Sequence, residues 1–169
     1  SGIYYKPGSL RATNCRTGKR AMEEFCEAEG VPYEICGKVI VAVSEAEFPQ
    51  LEQIYQRGQE NEVRCEMISA ERLAELEPHT AGIKAIHVPE AGICDFRKVC
   101  LKLAERLQER EAIVETNARV KRIVKQGNSV VVESTAGSFE ARYLVNCAGL
   151  HSDRVASLTG FRAASKIVP

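Results

Sequence analysis

The chain of 169 residues has no tryptophan, no CxxC pair, no net charge and no two glycines closer together than Gly2 and Gly8. Each absence removes a class of function. Dinucleotide fingerprints and P-loops both need glycines two to five residues apart, because the backbone must turn tightly and admit a phosphate. Neither motif is present in this chain. Structural zinc sites and thioredoxin-like centres need close cysteine pairs, and the seven cysteines at 15, 26, 36, 65, 94, 100 and 147 offer none. His79, His87 and His151 are far apart, so no metal centre is expected. The 23 basic and 23 acidic residues cancel and are interspersed. A chain without a positive field is poorly suited to phosphate backbones, so nucleic acid is not an expected partner. No apolar run is long enough to span a bilayer, and "SGIYYKPGSL" does not read as a signal peptide. The expectation is reduced thiols in a cytoplasmic setting.

What is there is ordinary globular material, 44% apolar and 27% charged. Residues 9–29 predict a helix with Ser9 as cap and Gly30 as stop. "CGKVIVAVS" (36–44) predicts a buried strand, 45–60 a helix, and 65–69 a strand leading into a short helix that Pro78 ends. Residues 82–95 read as a strand, a Pro-Glu-Ala-Gly turn and a re-entry. The clearest amphipathic pattern, Phe96, Val99, Cys100, Leu103 and Leu107, predicts a helix over 95–111 capped by Asp95. Short strands follow: 112–116, 118–126, 129–135, 138–142 and 143–147. Turns at Gly127-Asn128 and Ala136-Gly137 make the middle three a meander, hung between two buried strands. The fold class is therefore α/β, or mixed α+β, with an antiparallel insertion.

Two stretches could carry chemistry. In "YLVNCAGLHSDRVA" (143–156) a strand runs into Cys147-Ala148-Gly149 and reopens as a helix. Small residues there let main-chain groups around Ala148, Gly149 and Leu150 approach a phosphate or ribose, with Ser152 or Asp153 capping the helix. A tight strand-to-helix connection without a ligand would use the same letters. In "YYKPGSL", Tyr4, Tyr5 and Lys6 precede a Pro-Gly turn, and their hydroxyls and ammonium could meet a carboxylate. An ordinary turn with a solvated lysine would look the same. No paired carboxylates and no Ser-His-Asp order stand out, which argues against a hydrolase.

The succession "SGIYYKPGSLRA", "CGKVIVA", "LEP", "VPEAGICDFRKV", the meander, "YLVNCAGLHSDRVA" and "KIVP" resembles the L-2-hydroxyglutarate dehydrogenase/oxidase group of FAD-dependent oxidoreductases, within the D-amino-acid oxidase-like superfamily. The resemblance covers essentially the whole chain. It implies an internal fragment of an FAD-dependent oxidoreductase that oxidises L-2-hydroxyglutarate to 2-oxoglutarate. The glycine-rich FAD loop would precede the fragment, which alone would be inactive and bind FAD weakly or not at all. Residues 1–30 and 94–169 would be pieces of a Rossmann-like FAD-binding domain with the meander, and 31–93 part of an antiparallel-sheet substrate domain. Tyr4, Tyr5 and Lys6 would lie near substrate. Val120, Cys147, Ala148, Gly149 and Leu150 would meet the cofactor, and no catalytic base is assigned. Electrons would pass to a quinone or oxygen, the quinone option bringing peripheral membrane association. The sister expectation keeps the flavin but changes the substrate to sarcosine, glycerol 3-phosphate or an amino acid. The rival from another class is a cofactor-free α/β binding module.

Overall fold

Ser9 opens the first helix as expected: its hydroxyl accepts from the Ala12 amide, and Gly30, at φ 65°, closes α1 (Leu10–Glu29) in the left-handed conformation. The computed structural model describes residues 2–161 and 166–167. Ser1 and the last two residues of "KIVP" lie outside the described residues. The chain divides into two compact units, Ser1–Arg106 and Leu107–Pro169.

In the first unit, α1 is followed by the two-residue β1 (Tyr33–Glu34) and by β2 (Lys38–Ala42), the core of the expected 36–44 strand. A 3-10 turn at Glu45–Glu47 leads into α2 (Phe48–Glu60). Then come β3 (Glu66–Ser69) and α3 (Ala70–Leu76), whose cap Ser69 accepts from the Arg72 amide. Next are β4 (Lys84–Val88), β5 (Ile93–Cys94) and α4 (Phe96–Gln108). Asp95 caps α4 by accepting from the Lys98 amide at 3.1 Å.

The main sheet has the order β2-β4-β3 and is antiparallel throughout. Its centre is β4, where Ala85, Ile86 and Val88 are fully buried. The main core joins Ile3, Ala42, Leu51, Val63, Ile86 and Val88, so α2 and the N-terminal segment that carries Ile3 cover one part of the sheet. In a separate cluster of the first unit, Cys26 and Val31 meet Val99 of α4, with Tyr33 and Cys94 packed against them. Tyr33 stands opposite Cys94 in the small antiparallel β1–β5 pair, which the sequence pattern does not announce. Glu90, in the "VPEAG" turn, ties the unit together: its carboxylate pairs with Arg16 of α1 and accepts from the Arg64 amide.

The second unit is the expected meander, β6 (Val120–Gln126), β7 (Ser129–Ser134) and β8 (Gly137–Ala141), paired in that order. A 3-10 turn, Gly149–His151, then runs into α5 (Ser152–Ser157). Two expected strands are corrected here. Residues 112–116 and 143–147 join none of the described sheets. The reason is that a strand needs a neighbouring ladder to satisfy its backbone. Instead their apolar side chains face outward: Ile113, Tyr143 and Val145 are 84%, 83% and 80% exposed. Among the described residues of this unit, only Ile123 is a buried hydrophobic residue.

The observed class is mixed α/β, and all described strand pairing is antiparallel. No described helix is long and apolar enough to cross a membrane.

Candidate functional site

The first candidate site is a strap formed by residues 2–9. Gly2 and Tyr5 close a turn through the Tyr5 amide and the Gly2 carbonyl at 3.2 Å, and Ile3 plunges into the core. Ile3 can do so because Gly58 of α2 has no side chain: a Cβ there would stand 3.0 Å from Ile3 and 2.8 Å from the Cys65 sulfur. Asn61, just past α2, is buried and donates to the Gly2 and Tyr5 carbonyls at 3.2 and 2.8 Å. Arg57 donates to the Tyr4 carbonyl at 3.4 Å. The Lys6 carbonyl accepts from the Ser9 hydroxyl at 2.6 Å, which joins the strap to the cap of α1.

This backbone strapping leaves the side chains of Tyr4, Tyr5 and Lys6 on the surface, as a binding role requires. The Tyr4 ring, half exposed, carries the Lys38 ammonium 4.5 Å above its centroid. Lys38 is the first residue of β2, and burial holds its ammonium below the ordinary lysine range, opposed by the neighbouring Cys15. Burial also pushes the Tyr4 hydroxyl up. Lys38, Arg57 and Asn61 are missed by sequence reasoning. A lysine opening an apolar strand is unremarkable as text, and only the fold brings it over the Tyr4 ring.

Beside the strap lies a cleft of about 360 Å³ between α1 and the β1–β5 pair. Cys15, Met22, Cys26, Tyr33, Ile93 and Phe96 give it a mainly apolar lining. In the main sheet, His87 of β4 sits opposite Glu66 of β3, and its Nδ1 lies 3.0 Å from that carboxylate. That is a structural pairing.

The second candidate site is the turn at 146–152. Asn146 organises it: its Oδ1 accepts from the Ala148 amide at 3.2 Å, and its Nδ2 donates to the Ser152 carbonyl at 2.8 Å. Neither Ser152 nor Asp153 provides the side-chain cap expected of them. Asp153 instead accepts from the adjacent Arg154 amide, because the 3-10 turn has already consumed the first helical positions. Gly149 has φ 55°, and nothing lies within 4 Å of where its Cβ would be. Cys147 and Leu150 are exposed and Ala148 is half-buried. Val120 opens β6 opposite Ser134, and the ladder shifts register between Val120 and Arg122. Among the described residues no hydrogen bond or shared core cluster joins Val120 to the 147–150 turn. Tyr4, Tyr5 and Lys6 belong to the first unit, Val120 and 147–150 to the second.

Comparison with known proteins gives this geometry a context. The family described as FAD dependent oxidoreductase matches residues 1–169. L-2-hydroxyglutarate dehydrogenase from Indibacter alkaliphilus is 39% identical over 171 residues, covering 100% of this chain and 43% of that protein. The mitochondrial L-2-hydroxyglutarate dehydrogenase of Homo sapiens is 40% identical over 182 residues, covering 100% of this chain and 39% of its own length. Among solved structures, L-alpha-glycerophosphate oxidase from Mycoplasma pneumoniae with FAD bound superposes with a TM-score of 0.80 at 27% identity, over 94% of this chain and 44% of that one. The chain thus spans about two fifths of the length of the curated relatives it matches.

Proposed function

Because the chain belongs to the FAD-dependent oxidoreductase family, we propose that it is part of a longer flavoenzyme that oxidises L-2-hydroxyglutarate to 2-oxoglutarate. The observation that carries this reading is the likeness to L-2-hydroxyglutarate dehydrogenases along the whole chain. In the proposal, 1–30 and 94–169 belong to the FAD-binding part and 31–93 to the substrate part. The cytoplasm is the proposed location, in keeping with seven cysteines that form no disulfide. Peripheral membrane association would accompany a quinone acceptor.

The residues present fit one end of FAD. Open space over Gly149 gives a nucleotide access to the main chain, since no side chain stands in the way. The register shift after Val120 leaves Lys121 as an extra residue in the ladder, an interruption that suits an adenine edge beside Val120. We assign Val120, Cys147, Ala148, Gly149 and Leu150 to the ADP moiety on these grounds, with Asn146 holding the turn in shape. The pyrophosphate needs a glycine-rich loop that this chain does not contain, so this chain would hold the cofactor weakly by itself. FAD, when bound, accepts the hydride equivalent leaving the 2-carbon of the substrate. What this chain supplies to that chemistry is orientation. Tyr4, Tyr5 and Lys6 present hydroxyls and an ammonium to an anionic substrate, and Asn61 and Arg57 fix the strap that carries them.

The test is to express the full-length protein and examine its colour and substrates. A yellow protein that turns over L-2-hydroxyglutarate is expected. A colourless one that cannot be reconstituted with FAD would sink the proposal in favour of a cofactor-free binding module. A yellow one that prefers glycerol 3-phosphate, sarcosine or an amino acid would move the substrate to a sister activity.

A further inference from the structure

Lys38 stands where three elements meet. It opens β2, one of the two outer strands of the main sheet, with Val88 opposite it. Its ammonium lies 4.5 Å over the ring of Tyr4 in the N-terminal strap, and Cys15 of α1 flanks it. The strap is itself pressed onto α1 at this point, since a Cβ on Gly2 would be only 3.6 Å from the Cys15 Cβ. Two other half-buried cations of the unit have a carboxylate, Arg16 with Glu90 and Lys19 with Glu23 at 2.6 Å, whereas Arg57 bonds the Tyr4 carbonyl and Lys84 lies over the Phe48 ring. Among the described residues no carboxylate lies within ion-pair distance of Lys38. A half-buried ammonium facing only an aromatic ring and a thiol is incompletely compensated, and an anion delivered from outside would complete it.

We propose that Lys38 is a specificity-determining residue whose ammonium, braced on the Tyr4 ring, receives the carboxylate of the substrate remote from the reacting carbon. The inference rests on the functional reading above, in which the strap lies near substrate and 31–93 forms the substrate side. It deepens that reading by naming the group that separates a dicarboxylate from a monocarboxylate. A charge-assisted contact from a lysine to a carboxylate in a partly desolvated setting is large enough to dominate such a choice. Toward Lys38, the ring of Tyr4 has a positioning role, holding the ammonium in place, in addition to the hydroxyl it presents to substrate.

The experiment uses the full-length FAD-loaded enzyme with L-2-hydroxyglutarate and with L-2-hydroxybutyrate, which lacks the remote carboxylate. Lys38→Met is expected to raise KM for the dicarboxylate by about 10- to 100-fold, with kcat changed far less and KM for the monocarboxylate moved by less than about threefold. Lys38→Arg should recover part of the loss. Equal losses on both substrates, or none on either, would overturn the assignment while leaving a yellow, active enzyme. Failure of the underlying reading would look different, because the unmodified protein would then lack flavin or ignore L-2-hydroxyglutarate. Should the variants not fold, lysine acetylation of the unmodified enzyme read by mass spectrometry decides the matter. Saturating glutarate is expected to protect Lys38 where butyrate does not, and equal labelling with both would refute the proposal.

Discussion

Asn61 reaches across 56 positions of chain to donate its Nδ2 to the Tyr5 carbonyl at 2.8 Å, and the same nitrogen bonds the Gly2 carbonyl. One buried amide therefore sets the shape of the strap on which Tyr4, Tyr5 and Lys6 ride. Asn61→Ala would leave the carbonyls without that donor in a partly buried place, at a cost of about 1–3 kcal/mol. Urea melts of the folded protein should show this loss. In the full-length enzyme the same variant should raise KM for the acid substrate while leaving flavin content unchanged. Unaltered stability and unaltered KM together would mean that the strap does not depend on Asn61.

The second prediction concerns the glycine inside α2. Placing alanine in a helix interior normally stabilises by about 1 kcal/mol. At Gly58 the added methyl would meet the Cys65 sulfur at 2.8 Å and Ile3 at 3.0 Å. Ile3 belongs to the core and cannot withdraw cheaply, so overpacking of about 1–3 kcal/mol should outweigh the helix gain. Gly58→Ala is expected to lower the urea midpoint, and Cys65→Ala in the same chain to restore part of it. A midpoint that rises on Gly58→Ala would show that the strap has room to shift.

The helices of the first unit are legible in the text for a local reason. Ser9 and Asp95 cap the amides that their positions suggest, and capping depends on residues only three apart. The meander is legible for the same reason, since its turns sit between adjacent strands. Segments 112–116 and 143–147 look like strands because Ile113, Val114, Tyr143 and Val145 favour a pleated, buried surface. A strand is a relation between two segments, and no described strand pairs with them. The site divides along the same line. Gly149 and its small neighbours are readable as a motif, whereas Lys38 over the Tyr4 ring depends on elements 34 residues apart meeting in space.

Alkaline pH supplies a third prediction. Burial foremost, and then the neighbouring Cys94 thiol, push the Cys26 thiol above its ordinary 9.0. The folded chain keeps this proton where the unfolded chain releases it. The resulting stability is complete below about pH 9 and is lost as pH rises through the raised value. Lys38 acts in the opposite sense, because its lowered value lets the folded chain shed a proton before the unfolded one does. Comparing the unmodified chain with Cys26→Ala isolates the thiol. The gap between their thermal midpoints should hold up to about pH 9 and narrow as the pH rises beyond it. A gap independent of pH would show that Cys26 titrates normally in the folded state.

The last prediction separates two reasons for a glycine at 149. Its φ of 55° penalises most side chains by about 1–2 kcal/mol, and the space where its Cβ would be is open for at least 4 Å. Strain alone would make any β-branched substitute destabilising and would say nothing of a ligand. Asparagine tolerates this backbone conformation, so Gly149→Asn removes most of the strain argument while filling the space. If an ADP group approaches the main chain here, full-length Gly149→Asn should bind FAD about tenfold more weakly in reconstitution titrations, with the thermal midpoint of the apoprotein nearly unchanged. Gly149→Val should lose both. Wild-type FAD affinity in Gly149→Asn would mean that the small residues of this turn serve only the chain reversal, and that the ADP group is held elsewhere in the longer protein.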